Sequence, residues 1–188
     1  EIESGPTLHY IVVKPDARAI FGQMGVPILP DDPAQQVLEK VLGAAEIVLS
    51  RTLPSLIAGT APRIPMDLTQ GSYFGGRKAE DGRIAWGQSA LQIHNLVRAV
   101  TQPYPGAFSD TTAGRLVIWR TLKLKSRTQG GPALYVDADQ LQVRCGDGGV
   151  LNVLAAELDG QPLTATAFRR RFGDKALLFP ASFAQLRD

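Results

Sequence analysis

The spacing of apolar residues changes character three times along the chain. "TLHYIVV" (7–13) is an unbroken apolar, β-branched run between Gly5-Pro6 and Pro15-Asp16, which predicts a buried strand ending in a turn. From Val37 the period lengthens. Val37, Leu38, Val41, Leu42, Ala45, Val48, Leu49 and Leu53 recur at three- and four-residue steps, the stripe of a helix that covers a sheet. Asp32 at the N-cap, Pro33 at N1 and Gln35 at N3 supply the chemistry of its start. Pro54 marks a kink or boundary, and Gly59 suits the end. Regularity is lost from Thr60 to Gln88, where prolines and glycines alternate with the polar "RKAEDGR". Ser89 then caps a shorter helix, "ALQIHNLVRAV", whose Leu91, Leu96, Val97 and Val100 form an apolar face before Pro103 and Pro105 stop it. Beyond Gly114 the pattern becomes short β-like runs, "RLVIWRTLKL", "ALYVD", "LQVRC" and "VLNVLAAEL", separated by "TQGGP", "DADQ" and "GDGG" turns. "TATAFRRRF" predicts a short helix before the closing "LLFPAS".

These elements sort into an α/β part over residues 1–64, a linker or active-site loop over 65–88, and a β-rich module over 89–188, a small antiparallel barrel or sandwich. One strand with one covering helix cannot bury both of its faces, so the first part reads as the remnant of a larger α/β sheet. The chain also opens without Met, on "EIESGPTLHY", which reads as a cut inside a longer polypeptide. Composition adds limits. With 44% hydrophobic and 20% charged residues, the chain is globular rather than disordered. A formal charge of +2 gives no general nucleic-acid footprint, although Arg169 to Arg171 with Lys123, Lys125 and Arg127 are a local basic set. A single cysteine, Cys145, excludes an internal disulfide and a cysteine-based zinc cluster and suits a reducing, cytoplasmic setting.

Candidate chemistry is sparse. Asp16 follows a strand, where α/β enzymes place catalytic groups, yet Asp after Pro is also a common turn former. His9 lies in a strand and His94 in a helix, without metal-ligand spacing, and both read as structural. "SYFGGRK" (72–78) could stack Tyr73 or Phe74 on a base and offer Arg77 to a phosphate, or be a solvated loop. "QPYPGAF" (102–108), which holds Tyr104, reads as a rigid corner. "CGDGGVL" lacks the Lys-Ser/Thr of a phosphate loop and reads as a hairpin turn.

Taken in order, "TLHYIVVKPDARAIFGQ", "ILPDD", "SYFGGRKAEDGRIAW", "HNLVRAVTQPYPGAF" and "VRCGDGGVLNVL" resemble the folate-dependent formyltransferases, and the likeness runs through essentially the whole chain. "TLH", "FGGR" and "HNLVRAV…PGAF" favour the sugar-nucleotide branch, nearest to the formyltransferase domain of the bifunctional polymyxin-resistance proteins, over the methionyl-tRNA branch. The resemblance implies the C-terminal end of a Rossmann-like formyltransferase domain followed by a small OB-like β-barrel. It implies 10-formyltetrahydrofolate as co-substrate, no metal, and a nucleotide sugar, UDP-4-amino-4-deoxy-L-arabinose, as acceptor. A dehydrogenase domain fused to or associated with the protein is part of the same expectation.

Within the family's catalytic Asn, His and Asp, the acid lies in a "DAGAI" stretch that "DARAI" matches, so the role falls to Asp16. Nothing in this sequence matches the Asn and His, and the resemblance therefore implies an inactive fragment when the chain is taken alone. Arg18 stands where the family usually has Gly, and a cation two residues from Asp16 would depress its pKa or crowd folate. The resemblance points to Arg77 for the sugar nucleotide, with Tyr73, Phe74 and Tyr104 beside it. Two alternatives remain open, a methionyl-tRNA formyltransferase and a non-catalytic binding module.

Overall fold

A computed structural model describes residues 2–11, 19–67, 71–72 and 74–180. The chain divides into two compact units, Glu1–Gly76 and Arg77–Asp188.

In the first unit, β1 (Glu3–Ser4) pairs antiparallel with β4 (Val26–Pro27), and β2 (Thr7–His9) pairs antiparallel with β3 (Ile20–Gln23). The strand expected over 7–13 thus ends at His9, with 12–18 outside the described residues, and it is half-buried rather than buried. One helix, α1 (Ala34–Ile57), packs on β3 where Gly22 leaves room: a Cβ there would lie 2.8 Å from both Val48 and Thr52. The helix starts one residue later than its sequence indicates. Pro33 is the N-cap, because the Asp32 carboxylate turns away to accept from the Leu29 amide at 2.7 Å and from Lys40 at 2.5 Å. Pro54 does not end it. The backbone bond that proline cannot donate is lost three residues before Ile57, and the chain leaves through Gly59 in the left-handed region, φ +71°.

Only part of the expected α1 stripe is covered. Ala44 and Val48 are buried, whereas Leu38, Leu42, Leu49 and Leu53 are 42% to 55% exposed. Their spacing places these leucines together on the flank of the buried face, roughly 80° to 140° around the helix from Val48.

The second unit is built on one antiparallel, curled, seven-stranded sheet. Its strands are β5 (Ala107–Thr111), β6 (Gly114–Arg127), β7 (Ala133–Asp137), β8 (Gln140–Arg144), β9 (Gly149–Leu158), β10 (Gln161–Pro162) and β11 (Leu177–Leu178). The order is β11-β7-β8-β9-β6-β5, with β10 beside β9. The long β6–β9 ladder shifts register near Ile118, Arg120 and Lys123, and such bulges bend a pair of strands. Among the described residues, α2 (Ala90–Val100) and α3 (Ala165–Phe172) accompany the sheet. Ser89 caps α2 as expected: its hydroxyl accepts from the Gln92 amide while the Gln92 side chain accepts from the Ser89 amide. The buried face of α2 is Ile93, His94, Val97 and Val100; Leu91, one residue out of phase, stays 53% exposed.

The core joins Ile93 and Val97 of α2 to Leu116, Ile118, Leu134, Val143 and Leu151 of the sheet and to Phe168 of α3, each at most 1% exposed. The segment 77–88, part of the sequence-level linker, belongs to this unit, with Ile84 and Trp86 in its core. Among the described residues no helix is long and apolar enough to cross a membrane.

Truncation should separate the two apolar populations. Ile118→Ala is expected to cost about 2–5 kcal/mol in denaturant unfolding of the second unit, while Leu42→Ser should change stability by about 0.5 kcal/mol or less.

Candidate functional site

In the first unit β2 and β3 pair on either side, in sequence, of residues 12–18. Asp16, with Arg18, lies outside the described residues, as does Tyr73. The pair itself is well tied. The Tyr10 amide donates to the Ala19 carbonyl at 3.1 Å, and Ile20 and Ile64 exchange two backbone bonds of 2.7 and 2.9 Å. The Tyr10 ring tilts against Phe21 at 5.1 Å, and the Arg63 guanidinium sits 4.2 Å from its centroid. His9 lies within β2 and is half-buried. An open cleft of about 580 Å³, lined by Glu3, Ser4, Gly5, Gln23, Met24 and Gly25, contains none of the residues singled out in the sequence.

The second unit carries the remaining candidates. Phe74, at the end of the first unit, is 86% exposed. Arg77 and Lys78 are exposed at the start of the second unit, leading into a single 3-10 turn, Ala79–Gly82. The Lys78 amide donates to the Asp81 carboxylate at 2.7 Å, which fixes the start of this turn. Among the described residues no acid pairs with Arg77. The turn lies against the "QPYPGAF" corner, where a Cβ on Gly82 would meet the Gly106 carbonyl at 2.6 Å. Only glycine permits that approach. The corner is closed by the Gly106 amide donating to Val100 at 2.9 Å, and Tyr104 within it is 52% exposed. The fold therefore places the Arg77 segment and the Tyr104 corner side by side.

An ionic network beneath the turn escaped the sequence reading. Arg83 pairs with Glu80 and donates to Asp110 at 2.8 Å, and Arg115 grips the same carboxylate at 2.7 and 3.2 Å. Both guanidiniums lie over the Phe108 ring, at 4.7 and 4.6 Å from its centroid. Arg115 and then Arg83 hold the Asp110 carboxyl below its ordinary value. One half was open to inference: "SDTTAGR" is a tight hairpin that sets Asp110 across from Arg115. Arg83, 27 residues from Asp110, carried no local signal.

The remaining motifs have structural duties. His94 is 3% exposed with its Nδ1 2.9 Å from the Thr121 hydroxyl oxygen. The "CGDGGVL" hairpin docks on the start of α2, the Asp147 carboxylate accepting from the Ala90 and Gly149 amides at 3.0 Å each. Burial by itself raises Asp147, but those two amides and Arg127 outweigh it and leave the carboxyl lowered. Trp86 stacks on Phe179 at 4.0 Å and donates to Ser109.

Residues 77–173 match the family described as "Formyl transferase, C-terminal domain", just over half of the chain. The chain belongs to the formyltransferase family. Its fold is similar to the crystal structure of an N-formyltransferase from Helicobacter canadensis in complex with folinic acid and dTDP-3-aminofucose, at 21% identity and a TM-score of 0.67 over 87% of this chain. It is also similar to WlaRD, a sugar 3N-formyltransferase crystallised in the presence of dTDP and 5-N-formyl-THF, at 21% identity, TM-score 0.66 and 87% of this chain. The methionyl-tRNA formyltransferase of Clostridium thermocellum matches at 16% identity, TM-score 0.51, over 67% of this chain and 53% of its own. The chain spans 57% and 56% of the length of the first two structures. At these identities the likeness is one of fold.

Cys145 offers no nucleophile to the formyltransferase chain. It is fully buried, and desolvation, with Asp147 adding to it, pushes its thiol up to about 12. Ellman's reagent at pH 8 should leave the native chain unlabelled and react with one thiol after guanidinium unfolding. Because the unfolded thiol ionises near 9.0 and the folded one near 12, the neutral thiol's contribution is complete below pH 9.0 and is lost as the pH rises toward 12, so Cys145→Ala should lose less stability than the parent between about pH 9 and about pH 11 in denaturant unfolding.

Proposed function

We propose that this chain is part of an N-formyltransferase that moves the formyl group of 10-formyltetrahydrofolate to the 4-amino group of a UDP-amino sugar of the UDP-4-amino-4-deoxy-L-arabinose type. The reading is carried by the formyltransferase match that begins at Arg77, and the fold likeness to two sugar N-formyltransferases supports it. On this reading the first unit is the end of the Rossmann-like domain, and the curled sheet is the OB-like barrel that follows it.

The chemistry assigns the parts. The acceptor amine attacks the formyl carbon and forms a tetrahedral intermediate. Its collapse breaks the bond to folate nitrogen, while the amine proton is taken up and returned to that nitrogen. The oxyanion needs fixed donors. The family's Asn and His supply them, and Asp16 is proposed to orient that His. Those two residues have no counterpart among these 188 residues, so turnover is measured on a polypeptide that carries them. Arg77 is proposed to meet the diphosphate through charge-assisted hydrogen bonds. Tyr73, Phe74 and Tyr104 are proposed to offer ring faces to the nucleotide.

One observation favours a second acceptor. Lys123, Lys125 and Arg127 lie close together along β6 and are all exposed, a local set of cations that suits a tRNA backbone. Formylation of UDP-4-amino-4-deoxy-L-arabinose against methionyl-tRNA by the complete enzyme decides between them, and activity on tRNA alone would overturn the first reading. Asp16→Ala should abolish turnover with the melting temperature nearly unchanged. Arg77→Ala should raise the acceptor KM by about 5- to 100-fold, the loss of about 1–3 kcal/mol, with little change in the folate KM.

A further inference from the structure

Arg77 and Lys78 can meet an anion reproducibly only if the short turn that carries them is held. The single 3-10 turn Ala79–Gly82 is solvent-exposed up to Gly82. Its attachment to the sheet begins only there: the backbone contact of Gly82 with Gly106, the Ile84 amide donating to the Phe108 carbonyl at 2.8 Å, and between them the side chain of Arg83. Arg83 reaches in two directions, to Glu80 within the turn and to Asp110 on β5. It is the only side chain in the described network that ties the turn to the strand.

Two features of this network exceed what folding requires. Asp110 is 46% exposed, and surface ion pairs contribute little to stability. Yet its carboxylate is saturated: one oxygen accepts from Arg115, and the other from both Arg83 and Arg115. The two guanidiniums share the Phe108 ring, so without the carboxylate between them like charges would face each other there. Glu80 adds the second. It is 66% exposed, two to three residues from the cations expected to bind an anion, and Arg83 keeps it engaged. Released, Glu80 would compete with the ligand for Arg77 and Lys78.

We propose that Asp110 is a positioning residue for the acceptor site: acting through Arg83, it holds the Ala79–Gly82 turn and keeps Glu80 occupied, so that Arg77 and Lys78 remain available to the phosphates of a nucleotide sugar. This rests on the sugar-nucleotide reading given above.

The test uses the complete enzyme and steady-state kinetics with UDP-4-amino-4-deoxy-L-arabinose and 10-formyltetrahydrofolate. Asp110→Asn is expected to raise the acceptor KM about tenfold while kcat and the folate KM stay within about twofold. Asp110→Glu should restore most of the loss. In an Arg77→Ala background, Asp110→Asn should add less than about twofold, because the two residues act on one contact. Should Asp110→Asn be insoluble, Arg83→Lys, which keeps the charge but loses the fork that spans Glu80 and Asp110, is measured in its place with the same pattern expected. If Arg77→Ala raises the acceptor KM and Asp110→Asn does not, the positioning role fails and the acceptor reading stands. If Asp110→Asn lowers kcat, both KM-dependent rates and the melting temperature together, and its effect multiplies in full with that of Arg77→Ala, the residue is merely structural and the proposal is overturned. An unchanged acceptor KM in Arg77→Ala removes the acceptor reading, and the positioning role with it.

Discussion

The antiparallel ladder between Gly114–Arg127 and Gly149–Leu158 is the constraint on which the second unit depends. Strands of 14 and 10 residues cannot remain flat, and the register shifts along this pair absorb the twist. The curl turns Leu116, Ile118, Leu151, Val153 and Leu158 toward one interior. Helix α2 fills that interior with Ile93 and Val97, and α3 adds Phe168. Removal of this apolar surface from water is the main stabilising contribution, of the order of 25 cal/mol for each Å² buried. The short strands add edges to a surface that the ladder has already shaped.

The candidate acceptor segment inherits its position from the same ladder. Because β5 is the edge strand and turns into β6 at Gly114, Asp110 and Phe108 stand at the margin of the sheet, and the chain from Gly82 to Trp86 lies along that margin. Trp86 anchors one end by stacking on Phe179, and Gly82 meets Gly106 where no side chain would fit. The carboxylates of the ionic network between these anchors are largely in water, Glu80 at 66% and Asp110 at 46%, so the pairs contribute more to geometry than to stability even though Arg83 itself is 24% exposed. Formyltransferase membership rests on this unit, since the matching residues 77–173 lie within it.

The first unit presents a different balance. Its hairpin and helix α1 pack through Gly22, Ala44 and Val48, a small contact, while Leu38, Leu42, Leu49 and Leu53 face water on the helix flank. The stripe was legible in the sequence because helical spacing depends only on local order. Which part of it would be covered was not, because coverage depends on the other surfaces present. The same distinction explains Asp32: Asp before Pro is a sound helix-start signal, but a carboxylate with the Leu29 amide and Lys40 within reach has better partners than the helix end.

Local chemistry was enough to locate the second helix and its Ser89 cap, the β-runs and their turns, and the formyltransferase pattern, since caps, alternation and motif order are encoded within a few residues. Asp16, Tyr73, Phe74, Arg77 and Tyr104 were likewise named from motifs, and Arg77 and Tyr104 stand on neighbouring segments of one unit. What only the tertiary structure decided were the pairings over long sequence distance: the strand order β11-β7-β8-β9-β6-β5, the seating of Gly82 on Gly106, and the meeting of Arg83 with Asp110 over Phe108. Those contacts follow from how a curled sheet brings distant strands and loops together, and a pattern with a period of two or 3.6 residues holds no information about them.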